Sequence, residues 1–331
     1  MEDRLFNNSN ILSWLQYFSE NTDIDIEHVK ILDITRKNKN LIPTVEAHRC
    51  VLVFTEAGHT DIFYKMWDVG LGECDVIYNE GSEPKGEIKR NKVSEMIDRG
   101  INASAGMIIL NPNYRSTVKF GMDNKKFATG SVKYVGSEIR SVLISKMRID
   151  ESKNLCVISG EPIAVEAAMM CGEGTVIAVE YKERDRETME ENVNQFGLQN
   201  VIIVDHVGED TFKDLPVPDV TMLVASASLE QELSYLTSIN RDMSFVIYTL
   251  DFKVAATIRD ILLKYGLSDV NIIQIAVSYL TSKNVFENQP APWIITAGGK
   301  ETDYVIKTYL RFMAFRINNQ RHEKTFLEFC L

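Results

Sequence analysis

No apolar run in this 331-residue chain reaches the ~18–20 residues that span a bilayer. A helical membrane protein is excluded on that ground. Met1 to Asn10 are polar and acidic, so no secretory leader is expected there. Cysteine is scarce: Cys50, Cys74, Cys156, Cys171 and Cys330 are odd in number, and none stands in a CxxC spacing. A disulfide framework and a thiolate zinc site are therefore not expected, and a reducing cytoplasm is the expected setting. Positive charge is also short. Lys and Arg total 36 against 47 Asp and Glu, a formal net charge of −11. Nucleic acid and anionic membrane both demand clustered cations, so neither is expected as a partner. No G-x-S-x-G elbow occurs, which leaves a Ser-His-Asp hydrolase without its nucleophile turn.

What is present is an ordinary globular composition, 45% hydrophobic and 25% charged, at a length that suggests roughly two domains. Ile11, Trp14, Leu15 and Phe18 recur at helical spacing after a capping Asn10. Alternation follows. Cys50–Phe54 reads as a buried strand, Thr60–Val69 as a helix, Val76–Tyr78 as a strand and Gly81–Asn91 as a loop. Val93–Ile101 reads as a helix and Met107–Leu110 as a strand. This order predicts a smaller α/β lobe over residues 1–120, with a parallel or mixed sheet. Polar residues from Tyr114 to Lys133 mark a linker, placed at 121–134. Val135–Arg148 is amphipathic, with Ile139, Val142, Leu143 and Met147 on one face.

A second alternation, over 135–302, is stronger. Strands are expected at Leu155–Ile158, Thr175–Glu180, Val201–Val204, Val220–Val224, Phe245–Leu250, Val270–Leu280 and Trp293–Ala297. Helices are expected at Ile163–Cys171, Glu187–Phe196, Leu229–Ser238 and Ala255–Tyr265. Gly197 and Gly266 supply C-caps. Seven strands with a late pair fit a doubly wound, Rossmann-like α/β sheet with one antiparallel edge strand. Residues 303–331 read as a partly basic helical extension.

In such a sheet the chemistry sits at the turn after the first strand, where glycines let backbone approach a cofactor at a helix N-terminus. Here that turn is Ser159-Gly160-Glu161-Pro162. Glu180, about 20 residues on, ends the next strand, where an acid takes ribose hydroxyls; alone it reads equally as a solvated strand-end acid. His206 ends another strand and titrates near neutrality, so it is either a general base or a plain loop histidine. His48 and His59 have no partners at metal spacing and read as structural. Cys156 reads as a buried thiol.

Several segments together carry a resemblance: Val135–Ile149, Ile163–Ala168 (IAVEAA), Val176–Glu180 (VIAVE), Asn192–Asn200 (NVNQFGLQN), Pro218–Asp219 and Val270–Ala297. This ordered set, from about Gly121 to Gly298, resembles the decarboxylating, class I methyltransferase part of the precorrin-6Y C5,15-methyltransferase family of cobalamin biosynthesis. Asn40–Tyr114 looks like the C-terminal lobe of a tetrapyrrole methylase, which precedes that part in fused versions. The resemblance implies S-adenosylmethionine as cofactor, methylation at carbons 5 and 15 with loss of an acetate carboxyl, a tetrapyrrole ligand and a homo-oligomer. Its cofactor positions fall on Ser159, Gly160, Glu180, His206, Val207 and Ala225.

Departures accompany the match. The family's strand-end Asp and Gly-x-Gly-x-Gly loop are replaced by Val157 and a shortened turn. Pro162 removes a backbone donor, and Glu161 puts a negative charge where the methionine carboxylate would lie. A family glycine falls on His206, a Gly-Gly pair on Ala225-Ser226, and an Asn-Pro pair on Ala291-Pro292. Glu180, Asn192 and Asp219 remain. Two readings stand: a methyltransferase with an altered loop, or a catalytically silent relative that binds a ligand or partner.

Overall fold

The computed structural model describes residues 8–35, 40–55, 61–97, 105–115, 120–131 and 135–298. The extension expected over 303–331, His59 and the second half of the helix expected through Ile101 lie outside them.

The first sheet is built from β1 (Val29–Asp33), β2 (Cys50–Phe54), β3 (Asp75–Tyr78), β4 (Lys89–Lys92) and β5 (Gly106–Leu110), in the order β1-β2-β5-β3-β4. Only β1 and β2 pair in parallel; β2–β5, β5–β3 and β3–β4 are antiparallel. Helices α2 (Leu41–Ala47), α3 (Asp61–Asp68) and α4 (Val93–Met96) cover one face, burying Leu41, Ile62, Phe63, Met66 and Met96 on Val51, Val53 and Ile109. Helix α1 (Asn8–Asn21) covers the other, where Trp14, Tyr17 and Phe18 pack on Leu52, Phe54, Ile77 and Ile108. Each such side chain contributes roughly 1.5–3 kcal/mol by leaving water. The close approach needs Gly106: a Cβ there would lie 2.9 Å from the Trp14 indole.

The second sheet comprises β6 (Leu155–Ile158), β7 (Val176–Val179), β8 (Val201–Val204), β9 (Val220–Val224), β10 (Ser244–Thr249), β11 (Asn271–Gln274) and β14 (Trp293–Gly298). Its order is β11-β14-β10-β9-β6-β7-β8. Strand β14 alone runs antiparallel, one place in from the edge strand β11. Around it lie α5 (Ser137–Met147), α6 (Glu161–Met170), α7 (Glu183–Gln195), α8 (Glu209–Phe212), α9 (Leu229–Ile239) and α10 (Phe252–Lys264). This is the class I methyltransferase arrangement. The continuous apolar runs VIAV and LCVI form strands because both faces are covered.

One expected strand is corrected. Val270–Leu280 is not continuous: it breaks after Gln274, where Ile275 N–H turns to bond Pro292 O. Its second half becomes β12 (Ser278–Leu280), paired with β13 (Phe286–Asn288) in a separate exposed ribbon.

Residues 120–131, expected as linker, form a strap packed on the second sheet's helices. Arg140 and Glu166 are fully buried and paired, Nε to Oε1, at 2.8 Å. The guanidinium also donates to Asn124 Oδ1 (2.6 Å), to Val135 O and to Met122 O, and lies over the Phe127 ring. Glu166 accepts the Gly121 and Met122 N–H groups at 3.0 Å each. Farther along, Ala128 N–H donates to Asn192 Oδ1.

Buried Asn40 joins the two sheets' units. Its Nδ2 donates to Ala168 O, and its Oδ1 accepts from Gln199 N–H. Gly197, at φ +60°, stands where a Cβ would lie 2.7 Å from Ile42. A cleft of about 1160 Å³ opens beside this contact, with Lys30, Glu46, Arg115, Lys126, Met169 and Phe196 among its walls.

Candidate functional site

The parallel strands of the second sheet deliver their C-terminal ends to one edge. After β6, Ser159 adopts φ +55°, a left-handed turn that a serine accepts at a cost of order 1–2 kcal/mol. Gly160 follows, buried, where a Cβ would meet Val157 Cγ1 at 2.8 Å. Helix α6 starts at once, with Glu161 and Pro162 in its first turn. The Gly160 N–H bonds the carboxyl of Glu180, which ends β7. The turn thus spends its free donor on the chain's own acid.

Three carboxylates meet here. Glu161, Glu180 and Asp185 are 4%, 3% and 3% exposed, and one oxygen from each lies within 4.8 Å of the others. Among the described residues, none donates a hydrogen bond to Glu180 Oε1. Burial first, then the Glu161 and Asp185 charges, pushes the Glu180 carboxyl up to about 8, against the pull of the Gly160 N–H. Asp185, in the first turn of α7, accepts the Ser131 N–H and hydroxyl at 2.6 Å each. The strap therefore closes over the crease. A Cβ at Gly130 would lie 2.5 Å from Glu161 Oε1 and 2.8 Å from Asp185 Oδ1.

Glu180 stands at the end of β7, as a ribose-binding acid would. Gly130 and Ser131 of the same chain lie against Glu161 and Asp185, the acids beside it. The helix that would receive the methionine carboxylate opens with a buried acid and a proline lacking N–H.

Of the positions expected at the site, the structure brings Gly160 and Glu180 into contact, with Ser159 forming the turn. His206 is held between Asp205 Oδ1 (2.7 Å) and Asp210 Oδ1 (3.0 Å), and these two bonds raise its pKa. Both of its ring nitrogens thus face carboxylates. Val207 turns into the core with Phe212 and Leu233. Ala225 ends β9, its N–H on Tyr248 O. Asp185, Gly130 and Ser131 had no sequence signal. An acid in a helix's first turn reads as a dipole partner, and a linker glycine reads as a turn. The matched residues Asn192 and Asp219 serve the scaffold: Asn192 holds the strap, and Asp219 Oδ2 accepts the Asn154 N–H. Cys156 is a fully buried thiol with its pKa raised by burial.

No protein-family model matches the chain, and no curated protein matches it. Solved structures do. A precorrin-6Y C5,15-methyltransferase from Geobacter metallireducens is 22% identical, with 55% of this chain and 99% of that one covered and a TM-score of 0.51. The C-terminal domain of precorrin-6Y C5,15-methyltransferase from Rhodobacter capsulatus is 16% identical, with 55% and 99% covered and a TM-score of 0.45. A SAM-dependent O-methyltransferase from Thermotoga maritima is 12% identical, with 71% and 96% covered and a TM-score of 0.44. At such identities the first of these similarities establishes the fold, and the chemistry rests on the crease.

Proposed function

We propose that this protein is a catalytically silent relative of the precorrin-6Y methyltransferases, a binding protein that keeps their fold without transferring a methyl group. One observation carries the reading: Glu180 is 3% exposed, and Gly130 and Ser131 of its own chain lie against the neighbouring acids Glu161 and Asp185, at the strand end where a cofactor's ribose would have to lie. Energetics point the same way. Losing one charge-assisted backbone hydrogen bond costs on the order of 1.5–3 kcal/mol. A carboxylate facing another at ~6 Å and an effective dielectric near 20 adds roughly 3 kcal/mol. Together these weaken a micromolar binder to about millimolar or worse.

The ligand we propose is an acidic tetrapyrrole, taken in the cleft between the two units. That cleft's volume suits a macrocycle, and Lys30, Arg115 and Lys126 stand on its walls to meet carboxylates. We further propose self-association through the β12–β13 ribbon, whose Leu280, Val285 and Phe286 are more than half exposed.

Calorimetric titration with S-adenosylhomocysteine tests the central claim. The unmodified protein is expected to show no saturable heat below about 1 mM. Replacing Glu161-Pro162 with Gly-Gly is expected to bring binding into the micromolar range. Sub-micromolar binding by the unmodified protein refutes the reading. A polycarboxylate porphyrin followed by absorbance, and light scattering for mass, test the other two proposals.

A further inference from the structure

We propose that Glu161, Glu180 and Asp185 form a buried cation site of calcium type at the C-terminal edge of the second sheet. The inference rests on the reading that the crease no longer takes the methyl donor, and it says what the crease takes instead.

Three buried carboxyl groups converge on one point, an arrangement that a bound cation favours. Each is more than nine-tenths buried, unlike the exposed acids common on protein surfaces. Their oxygens, all within 4.8 Å of one another, are no farther apart than opposite corners of a shell with ligands at ~2.3–2.6 Å. An all-oxygen, carboxylate-rich set is what a hard divalent cation prefers.

A second observation points to a ligand. Among the described residues Glu180 has one hydrogen-bond donor, the Gly160 N–H, and its Oε1 is buried with none. A buried acceptor left unbonded is costly, and a bound cation satisfies it. The surroundings supply orientation: Ser131 fixes Asp185 through two short hydrogen bonds, and Gly160 fixes Glu180. Backbone at Gly130 passes close to both Glu161 and Asp185, so the strap forms the site's outer wall. The Lys182 ammonium is bonded to Ser131 Oγ at 3.2 Å.

The test uses the full chain, stripped with EDTA and exchanged into chelator-free buffer. Calcium chloride is titrated calorimetrically, with magnesium chloride as a second arm and melting temperature as an independent readout. One calcium per chain is expected, with an affinity tighter than millimolar and weaker binding of magnesium, which demands a smaller octahedral shell. Glu180→Gln and Asp185→Asn are each expected to weaken calcium at least tenfold. Their metal-free circular dichroism and melting show whether they remain folded. No saturable heat and no calcium-dependent rise in melting temperature overturn the proposal. So does undiminished affinity in both folded variants. S-adenosylhomocysteine is titrated separately: its binding would sink the closed-crease reading, whereas a null result with calcium sinks the cation site alone.

Discussion

Replacing Arg140 with Met puts the strap to the test. Arg140 and Glu166 are wholly buried, and the guanidinium serves Glu166, Asn124, Val135 and Met122 while covering the Phe127 ring. Methionine fills much of the same volume but leaves the Glu166 carboxylate charged, in apolar surroundings, with only the Gly121 and Met122 N–H groups. Breaking a buried pair by removing one partner costs about 3–5 kcal/mol. At roughly 2–4 °C per kcal/mol for a unit of this size, Arg140→Met is expected to lower the melting temperature by about 6–20 °C. It should also expose Gly121–Ser131 to limited proteolysis, since the strap loses its anchor. The double variant Arg140→Met with Glu166→Leu buries no unpaired charge and is expected to recover most of the loss. Calorimetric melting and mass-mapped trypsin fragments read both effects. A loss under 1 kcal/mol for the single variant, with the strap still resistant, would refute the idea that this pair holds it.

Three further outcomes are expected. With EDTA present, stability falls as pH rises from about 4.5 towards 8, because Glu180 keeps its proton in the folded protein up to about pH 8 but not when unfolded. Urea titrations across that range should show the slope flattening in Glu180→Gln. Gly130→Val drives a branched side chain onto Glu161 Oε1 and Asp185 Oδ1, and is expected to cost about 1–3 kcal/mol, read by thermal melting. Asn40→Ala removes two bonds between the units; Ala168 O keeps its bond from Asn200 Nδ2, while the Gln199 N–H loses its acceptor at about 1–3 kcal/mol. Its melting curve is expected to split into two transitions.

Periodicity and turn residues made the second sheet legible. VIAV, LCVI and VTMLV are buried on both faces and could be little else. The first sheet was harder. KRNK became β4 because β3 offered it an antiparallel edge, and VKILD became β1 by parallel pairing with β2. Neither pairing is written in the local residues. LIPTVEA forms α2 with its proline in the first turn, where the lost N–H matters little. At the site, Gly160 and Glu180 were readable because their roles depend on strand ends. The contribution of Gly130 depends on where a distant strap lies, and only tertiary structure sets that.

The strap has a mechanical consequence. Arg115 N–H is pinned to Glu46 O on the first unit, and Gly121 is pinned to Glu166 on the second. Six residue steps separate these anchors, a tether of at most about 20 Å when taut. The same tether continues to Ser131 and Asp185. The length of this span therefore bounds how far the two anchors can part. A ligand of the kind proposed for the cleft would sit beside one end of this line, and its far end lies against Glu161 and Asp185.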